Sequence, residues 1–328
     1  MVHFLSCDWG TSSFRLRLIG AENAETIAFR KADRGIAATF NSLDDRKKKD
    51  PEQRLLFYLH IIQEHISEIE QDQKISLKGV PLVISGMASS SIGMAELPYR
   101  NLPFNIDGSD IEAAYYEVSA SFAHPVLLIS GVKSEVDVMR GEETQLIGTI
   151  RDSTAAEGQE LYIFPGTHSK HIVVKDKRVT DFKTYMTGEF FELLSKQSIL
   201  KGGVERDDDL QAPKALQSFT AGVLDAKGAN LLQMAFRVRT NTLFEKFSKR
   251  ENYHYLSGLL IGAELDEITP SDYTQVSVCS DSVLTLKYET ALKALGLKEN
   301  VHVFPPEWAD EAVVRGQLKI YKQFTSKL

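Results

Sequence analysis

Asp8-Trp9-Gly10-Thr11-Ser12-Ser13-Phe14-Arg15 is the stretch on which the fold turns. The apolar run 2–7 before it predicts a strand, and Phe14, Leu16 and Leu18 alternating with Arg15 and Arg17 predict a second strand after it. The tip between them is polar and contains glycine, so the element is a β-hairpin. Pro165-Gly166-Thr167-His168-Ser169-Lys170 stands in the same setting, between expected strands at 161–164 and 171–175. Gly10-Thr11-Ser12-Ser13 and Gly166-Thr167-His168-Ser169 share the spacing glycine, threonine, any residue, serine. A glycine-containing turn lets backbone N–H groups approach an anion, and small hydroxyl side chains add donors without crowding. Two such tips facing one another would clamp a polyphosphate. By spacing alone they read equally as two ordinary hairpins.

The remaining pattern is that of an α/β protein. Lys47, Lys48 and Lys49 sit among acidic residues in 44–50, which reads as a solvated loop. Asp50-Pro51-Glu52-Gln53 is a helix start with a capping side chain and proline at the first helical position; Leu55, Leu59, Ile62, Ile66 and Ile69 then mark one face. Strands are expected at 81–85 and 125–130, flanking a helix near 110–122, and another helix at 141–150. After the second hairpin come a strand at 179–184, a helix from Glu189 and mostly helical sequence over 214–266. A strand at 276–279, a helix at 283–295, a strand at 301–304 and a terminal helix from about Trp308 complete the chain. At 328 residues it exceeds one ordinary core, so two lobes are expected, 1–155 and 156–328, with the terminal helix able to pack back on the first.

Composition narrows the function. Hydrophobic residues make up 43% and charged residues 25%, enough for a sizeable core. Thirty-eight basic against 45 acidic residues leave a net charge of −7, so no global positive field holds nucleic acid or an anionic membrane, and an anionic ligand must be bound locally. Cys7 and Cys279 lie far apart in apolar stretches, as reduced thiols of a cytoplasmic enzyme would. No stretch approaches the ~20 apolar residues of a membrane helix, and the first apolar run is too short for an export signal. P-loop, dinucleotide-binding, zincin and nucleophile-elbow motifs do not occur. His168 and His171 flank a strand entry that would scatter them, which argues against a metal pair. His60 and His65 read as ordinary residues of the first long helix, and Arg237 and Arg239 as surface charges.

The first turn resembles the first phosphate motif of the actin, heat-shock ATPase and sugar kinase superfamily. Ser85-Gly86-Met87, Glu96-x-Pro98-Tyr99, Met139-Arg140-Gly141-Glu142-Glu143-Thr144-Gln145, the 165–170 turn, Met186-Thr187-Gly188-Glu189 and Leu256-Ser257-Gly258-Leu259-Leu260-Ile261-Gly262 extend the match along most of the chain. In this order they resemble the 2-dehydro-3-deoxygalactonokinase family. The resemblance implies two lobes of ribonuclease H-like fold with the active site in the cleft between them. It also implies transfer of the γ-phosphoryl group of ATP to the 6-hydroxyl of a 2-keto-3-deoxy sugar acid, with Mg²⁺ as cofactor. Phosphoryl transfer is mostly positioning and charge neutralisation, so the chemistry calls for backbone cradles, a metal site and a carboxylate near the acceptor hydroxyl.

On the resemblance, Asp8 at the end of the first strand holds Mg²⁺ through water, since the ion dehydrates reluctantly and favours oxygen ligands. Gly10, Thr11, Ser12 and Ser13 cradle the phosphates from one lobe, and Gly166, Thr167, His168 and Ser169 from the other, with Arg15 and Lys170 as candidates for neutralising charge. Glu142, at a helix start that favours negative charge, is the first choice of general base; Asp137 competes, and Glu143 reads as a cap. Ser85, Gly86, Met87, Glu96, Tyr99 and Arg140 are the sugar-acid candidates, and Ser280 and Asp281 mark the adenosine end. Gly258 and Gly262 read as helix-packing positions. Two segments depart from the family pattern. Ala88 to Met94 lacks the usual arginine, a two-pronged carboxylate donor that serine does not replace, and Cys279-Ser280 stands where glycine is usual. Alternatives are an exopolyphosphatase-like hydrolase, in which Glu142 orients water, and a non-catalytic nucleotide-gated sugar-acid sensor. A homo-oligomer is compatible with the sequence.

Overall fold

The computed structural model describes residues 2–150, 158–280, 282–297 and 300–327. The chain divides into two compact units, one of residues 1–155, 177–181 and 310–328, the other of 156–176 and 182–309. The expected lobe boundary between 155 and 156 falls outside the described residues, as does Asp281.

In the first unit β1 (His3–Trp9), β2 (Phe14–Gly20) and β3 (Glu25–Ala32) form an antiparallel meander. The first two are the expected hairpin. β3 escapes a reading from sequence because only one of its residues, Ala28, is buried and no apolar alternation marks it. Helix α1 (Ile36–Asn41) and the single turn α2 (Asp45–Lys49) follow; α2 replaces the expected loop because the Asp44 side chain accepts from Arg46 N and Lys47 N. Helix α3 (Pro51–Gln73) begins as read, with Asp50 accepting from Glu52 N and Gln53 N, and it buries Tyr58, Ile62, Ile66 and Ile69.

Strand β4 (Leu82–Gly86) runs parallel to β1. The short strands β5 (Arg100–Asn101) and β6 (Phe104–Asn105) lead to β7 (Ala113–Tyr116), where the sequence pointed to a helix. Ala113 to Tyr116 instead pair antiparallel with β8 (Val126–Ile129), because tyrosines suit a pleated edge and the ladder with β8 overrides local propensity. Strands β9 (Val132–Lys133) and β10 (Val138–Met139) pair with each other, and helix α4 (Glu142–Thr149) closes this part. The main sheet has the order β3-β2-β1-β4-β8-β7. Strands β1, β4 and β8 are buried throughout or nearly so, as inner parallel strands are.

The second unit holds β11 (Gln159–Phe164), β12 (Ser169–Lys175) and β13 (Arg178–Tyr185), although Arg178 and Val179 belong to the first unit and pair there with Asn105 and Phe104. Then come α5 (Thr187–Lys196), α6 (Pro213–Ala226), α7 (Leu231–Ala235), α8 (Arg237–Leu243), α9 (Lys249–Leu265), β14 (Gln275–Val278), α10 (Ser282–Ala294), β15 (Val301–Val303) and α11 (Pro306–Thr325). The strand order β15-β14-β11-β12-β13, read backwards, repeats β3-β2-β1-β4-β8. β11 is antiparallel to β12 and parallel to β14, as β1 is to β2 and β4. Both units therefore carry the ribonuclease H-like wiring, with the two glycine turns at equivalent places. Among the described residues no helix is long and apolar enough to cross a membrane.

Two helix crossings depend on glycine. A Cβ at Gly258 of α9 would lie 2.0 Å from the Phe219 carbonyl oxygen of α6, and one at Gly222 would lie 2.2 Å from that of Tyr255. The expected packing role of Gly258 and Gly262 is thus the observed one. In the first unit, residues 310–325 of α11 meet α4 through Gly316 and Gly148. Replacing Gly258 by valine should destabilise the protein by about 2 kcal/mol or more, as overpacking of a tight contact does. Urea denaturation of the variant measures this, and an unchanged midpoint would contradict the crossing.

Candidate active site

The C-terminal ends of β1 and β4 lie side by side, with Asp8 opposite Ser85 and Trp9 opposite Gly86. Ligands of open α/β sheets bind at such strand ends. Gly86 has φ 87° and Gly141 has φ 114°, both in the region that favours glycine. A Cβ on Gly141 would stand 3.4 Å from the Gly86 Cα, and one on Gly86 would stand 3.4 Å from Asp8 Oδ1 and 2.9 Å from the Trp9 carbonyl oxygen. This close backbone approach brings Asp8, Gly86 and the start of α4, with Glu142, into one place.

The turn after β1 is held from several sides. Gly10 N–H donates to the Ser13 carbonyl at 2.9 Å, and the Gly10 and Thr11 carbonyls accept from Ile36 and Ala37 N–H. Trp9 is buried edge-on against Phe14 and Tyr58, with ring centroids 4.8 and 5.2 Å away, and its indole N–H donates to the Arg34 carbonyl. Thr11 and Ser12 are left exposed at the tip. Arg15 pairs with Asp8 at 3.2 Å, so its charge faces the carboxylate. Burial pushes the Asp8 carboxyl above its usual range, with Arg15 and Arg17 opposing.

At the start of α4 the two glutamates differ. Glu142 is half-buried and its Oε2 accepts from Arg140 N–H at 3.1 Å. Glu143 is fully buried; it accepts from Gly141 N–H at 2.7 and 3.0 Å and from Thr144 Oγ1 at 3.0 Å, the cap expected of it. Burial, helped by the charge of Glu142, pushes the Glu143 carboxyl up to about 7 against these donors. Asp137 belongs to the preceding 134–137 turn, where its carboxylate accepts from Val138 N–H. It lines an open cleft of about 950 Å³ with Asn101, Lys133, Ser134, Thr180 and Asp181.

The segment after β4 receives Arg140. Its Nη1 donates to both the carbonyl and the Oγ of Ser89 at 2.6 Å, and its guanidinium lies over the Tyr99 ring, 4.1 Å from the centroid. Its Nε is buried with no hydrogen-bond partner among the described residues. Met87 is half-buried and Glu96 exposed. Ser85 is buried, and its Oγ accepts from Gln317 Nε2, which also donates to the Cys7 carbonyl.

In the second unit the turn 165–170 divides into a tip and an anchor. Thr167 and His168 are exposed, while Ser169 and Lys170 are buried. Lys170 Nζ donates to the His168 carbonyl at 3.3 Å. The start of α5 lies against this tip: a Cβ on Gly188 would meet the Gly166 carbonyl oxygen at 2.6 Å, Glu189 N–H donates to the Thr167 carbonyl at 3.1 Å, and Glu189 pairs with His168. Ser169 and His171 both donate to the buried carboxylate of Glu264, so the two histidines of the turn face different partners. Among the described residues no group of three or more His, Cys, Asp or Glu side chains could hold a metal ion. Ser280 is buried beside Thr285, 2.9 Å between hydroxyl oxygens. Glu264 was missed in the sequence; its one signal is a carboxylate in the otherwise apolar second half of α9. His65 stacks on Phe14, His60 is exposed, and Arg237 pairs with Asp225.

The family described as 2-keto-3-deoxy-galactonokinase matches residues 8–320. A Rhizobium meliloti (strain 1021) protein named "Probable 2-dehydro-3-deoxygalactonokinase DgoK1" is 30% identical over 318 residues, covering 96% of this chain and 95% of its own. The 2-dehydro-3-deoxygalactonokinase of Escherichia coli (strain K12) is 32% identical over 225 residues, 66% of this chain and 71% of its own. The crystal structure of a protein from Sinorhizobium meliloti described as a "putative 2-dehydro-3-deoxygalactonokinase protein" superposes with a TM-score of 0.78 at 28% identity, covering 97% of this chain and 96% of its own.

Because the folded state raises the Glu143 pKa from 4.5 to about 7, it favours the protonated carboxyl. Its contribution to stability is full below about 4.5 and is lost as pH rises through about 7. Thermal unfolding from pH 4.5 to 8 should show the parent losing stability relative to Glu143→Gln as pH rises. A difference independent of pH would refute the assignment.

Proposed function

Since the chain belongs to the 2-keto-3-deoxy-galactonokinase family, we propose that it transfers the γ-phosphoryl group of ATP to the 6-hydroxyl of 2-dehydro-3-deoxy-D-galactonate or a close 2-keto-3-deoxy sugar acid. The observation that carries the residue roles is the meeting of Asp8, Gly86 and Glu142 where β1, β4 and α4 end or begin. Gly10, Thr11 and Ser12 supply a turn whose exposed tip suits phosphate oxygens, and the turn 165–170, at the equivalent place in the second unit, offers Gly166, Thr167 and His168. Ser169 and Lys170 support that turn from beneath.

Asp8 is the residue that would hold Mg²⁺. A carboxylate at a strand end suits a hard cation that takes oxygen ligands and keeps much of its water. Held there, it would supply charge neutralisation for the transferring phosphate. Glu142 takes the proton of the 6-hydroxyl as that oxygen attacks phosphorus, its position set by the Arg140 N–H bond and the Gly141–Gly86 contact. Asp137, in the 134–137 turn, is the lesser candidate. Arg140 supplies the cation for the sugar acid's carboxylate, in place of the arginine missing from 88–94. Its stacking on Tyr99 and its bonds to Ser89 preorganise it.

A panel of 2-keto-3-deoxy sugar acids assayed for ADP release tests the function; release at the same rate without any sugar acid would replace the kinase with a hydrolase. Glu142→Gln should lower kcat by about 10²–10⁴ with ATP binding retained, and turnover within tenfold of the parent would remove it as base. Arg140→Lys should raise KM for the sugar acid by roughly tenfold or more, since lysine lacks the planar donor pair. An unchanged sugar-acid KM would take Arg140 out of the binding site.

A further inference from the structure

Glu264 lies on α9, one residue from its end, among buried apolar neighbours. Its Oε1 accepts from Ser169 Oγ at 2.7 Å and His171 Nε2 at 2.9 Å; its Oε2 accepts from Tyr288 OH at 2.6 Å and from Thr187 Oγ1. These four donors come from β12, where Ser169 and His171 sit, from α10, and from the first residue of α5. Removing a carboxylate from water is costly, and an apolar side chain would pack α9 against its neighbours without that penalty. What the charge accomplishes is geometric. It fixes Ser169, where the turn passes into β12, relative to Thr187, whose neighbours Gly188 and Glu189 lie directly against the Gly166–Thr167 backbone.

We propose that Glu264 is a positioning residue for nucleotide binding, holding the 165–170 turn and the start of α5 together so that Gly166, Thr167 and His168 present their donors to the nucleotide phosphates. This rests on the reading of that turn as a phosphate cradle. Donors on all sides also keep the carboxylate ionised: burial pushes it up, but His171, Thr187 and Tyr288 outweigh burial and hold it below the usual range. Glutamine at 264 would turn an amide N–H₂ toward one pair of these donors and so loosen one of the two attachments.

The test compares Glu264→Gln and Thr187→Val with the parent in the full chain, by calorimetric titration with ATP and by steady-state kinetics in both substrates. From the worth of hydrogen bonds to a charged group, Kd and KM for ATP should rise about tenfold or more in Glu264→Gln and about threefold in Thr187→Val, with KM for the sugar acid within about twofold of the parent. Equal shifts in both KM values, or parent-like ATP affinity in both variants, would overturn the proposal. Should Glu264→Gln fail to fold, Thr187→Val decides alone, since it leaves the carboxylate its other donors. The kinase reading fails separately, if the parent releases ADP without a sugar acid; the ATP affinities of the variants are measured without turnover and still judge Glu264.

Discussion

The approach of the Gly141 backbone to Gly86 is the contact on which the first unit's candidate site depends. Both residues adopt positive φ, and a side chain on Gly86 would press on the Trp9 carbonyl, so the arrangement requires glycine for conformation and for space. Since β1 and β4 are parallel and in register at Trp9 and Gly86, the same contact sets Asp8 beside the first turn of α4. The helix is held at its far side as well, where Gly148 meets the Ala312 carbonyl on α11. Gln317 of α11 then binds the Cys7 carbonyl and Ser85 Oγ, the immediate predecessors of Asp8 and Gly86. A site so mounted on packed strands and helices needs little from loop order.

The second unit reaches an equivalent arrangement by different means. Its turn also sits between two antiparallel strands, with a parallel strand beside the first, but a buried carboxylate joins the pieces that surround it. A backbone contact between glycines is short-ranged and involves no desolvated charge. A carboxylate with four donors spans a wider gap and draws in β12, α5 and α10 at once. The cost of burying the charge is met only because every lone-pair direction is used.

Legibility followed the range of the interactions. The hairpin of β1 and β2, the turn 165–170 and the start of α3 could be read because turn and capping chemistry acts within a few residues. The helix wrongly expected near 110–122 failed for the opposite reason: the state of Ala113 to Tyr116 is set by their ladder with β8. β3 shows no buried stripe, so its pairing with β2 left no mark in the pattern. The approach of Arg140 to Ser89, in the segment after Gly86-Met87 that lacks an arginine of its own, left no mark in the sequence, because the two residues lie 51 positions apart and only folding brings them together.

From its residues alone the chain declared two like hairpin turns, the order of strands and helices around most of them, its family, and the identity of the polar residues at the turns and at the start of α4. Those follow from local backbone preference and from short strings of residue types, which a linear sequence carries directly. Which of these residues face outward and which are consumed as supports was decided by tertiary structure: Thr167 and His168 stand at the tip while Ser169 is bound to Glu264, and Ser85 is taken by Gln317. Such partners lie far apart along the chain, and a buried carboxylate or an orphaned guanidinium nitrogen acquires meaning only when packing has chosen what surrounds it.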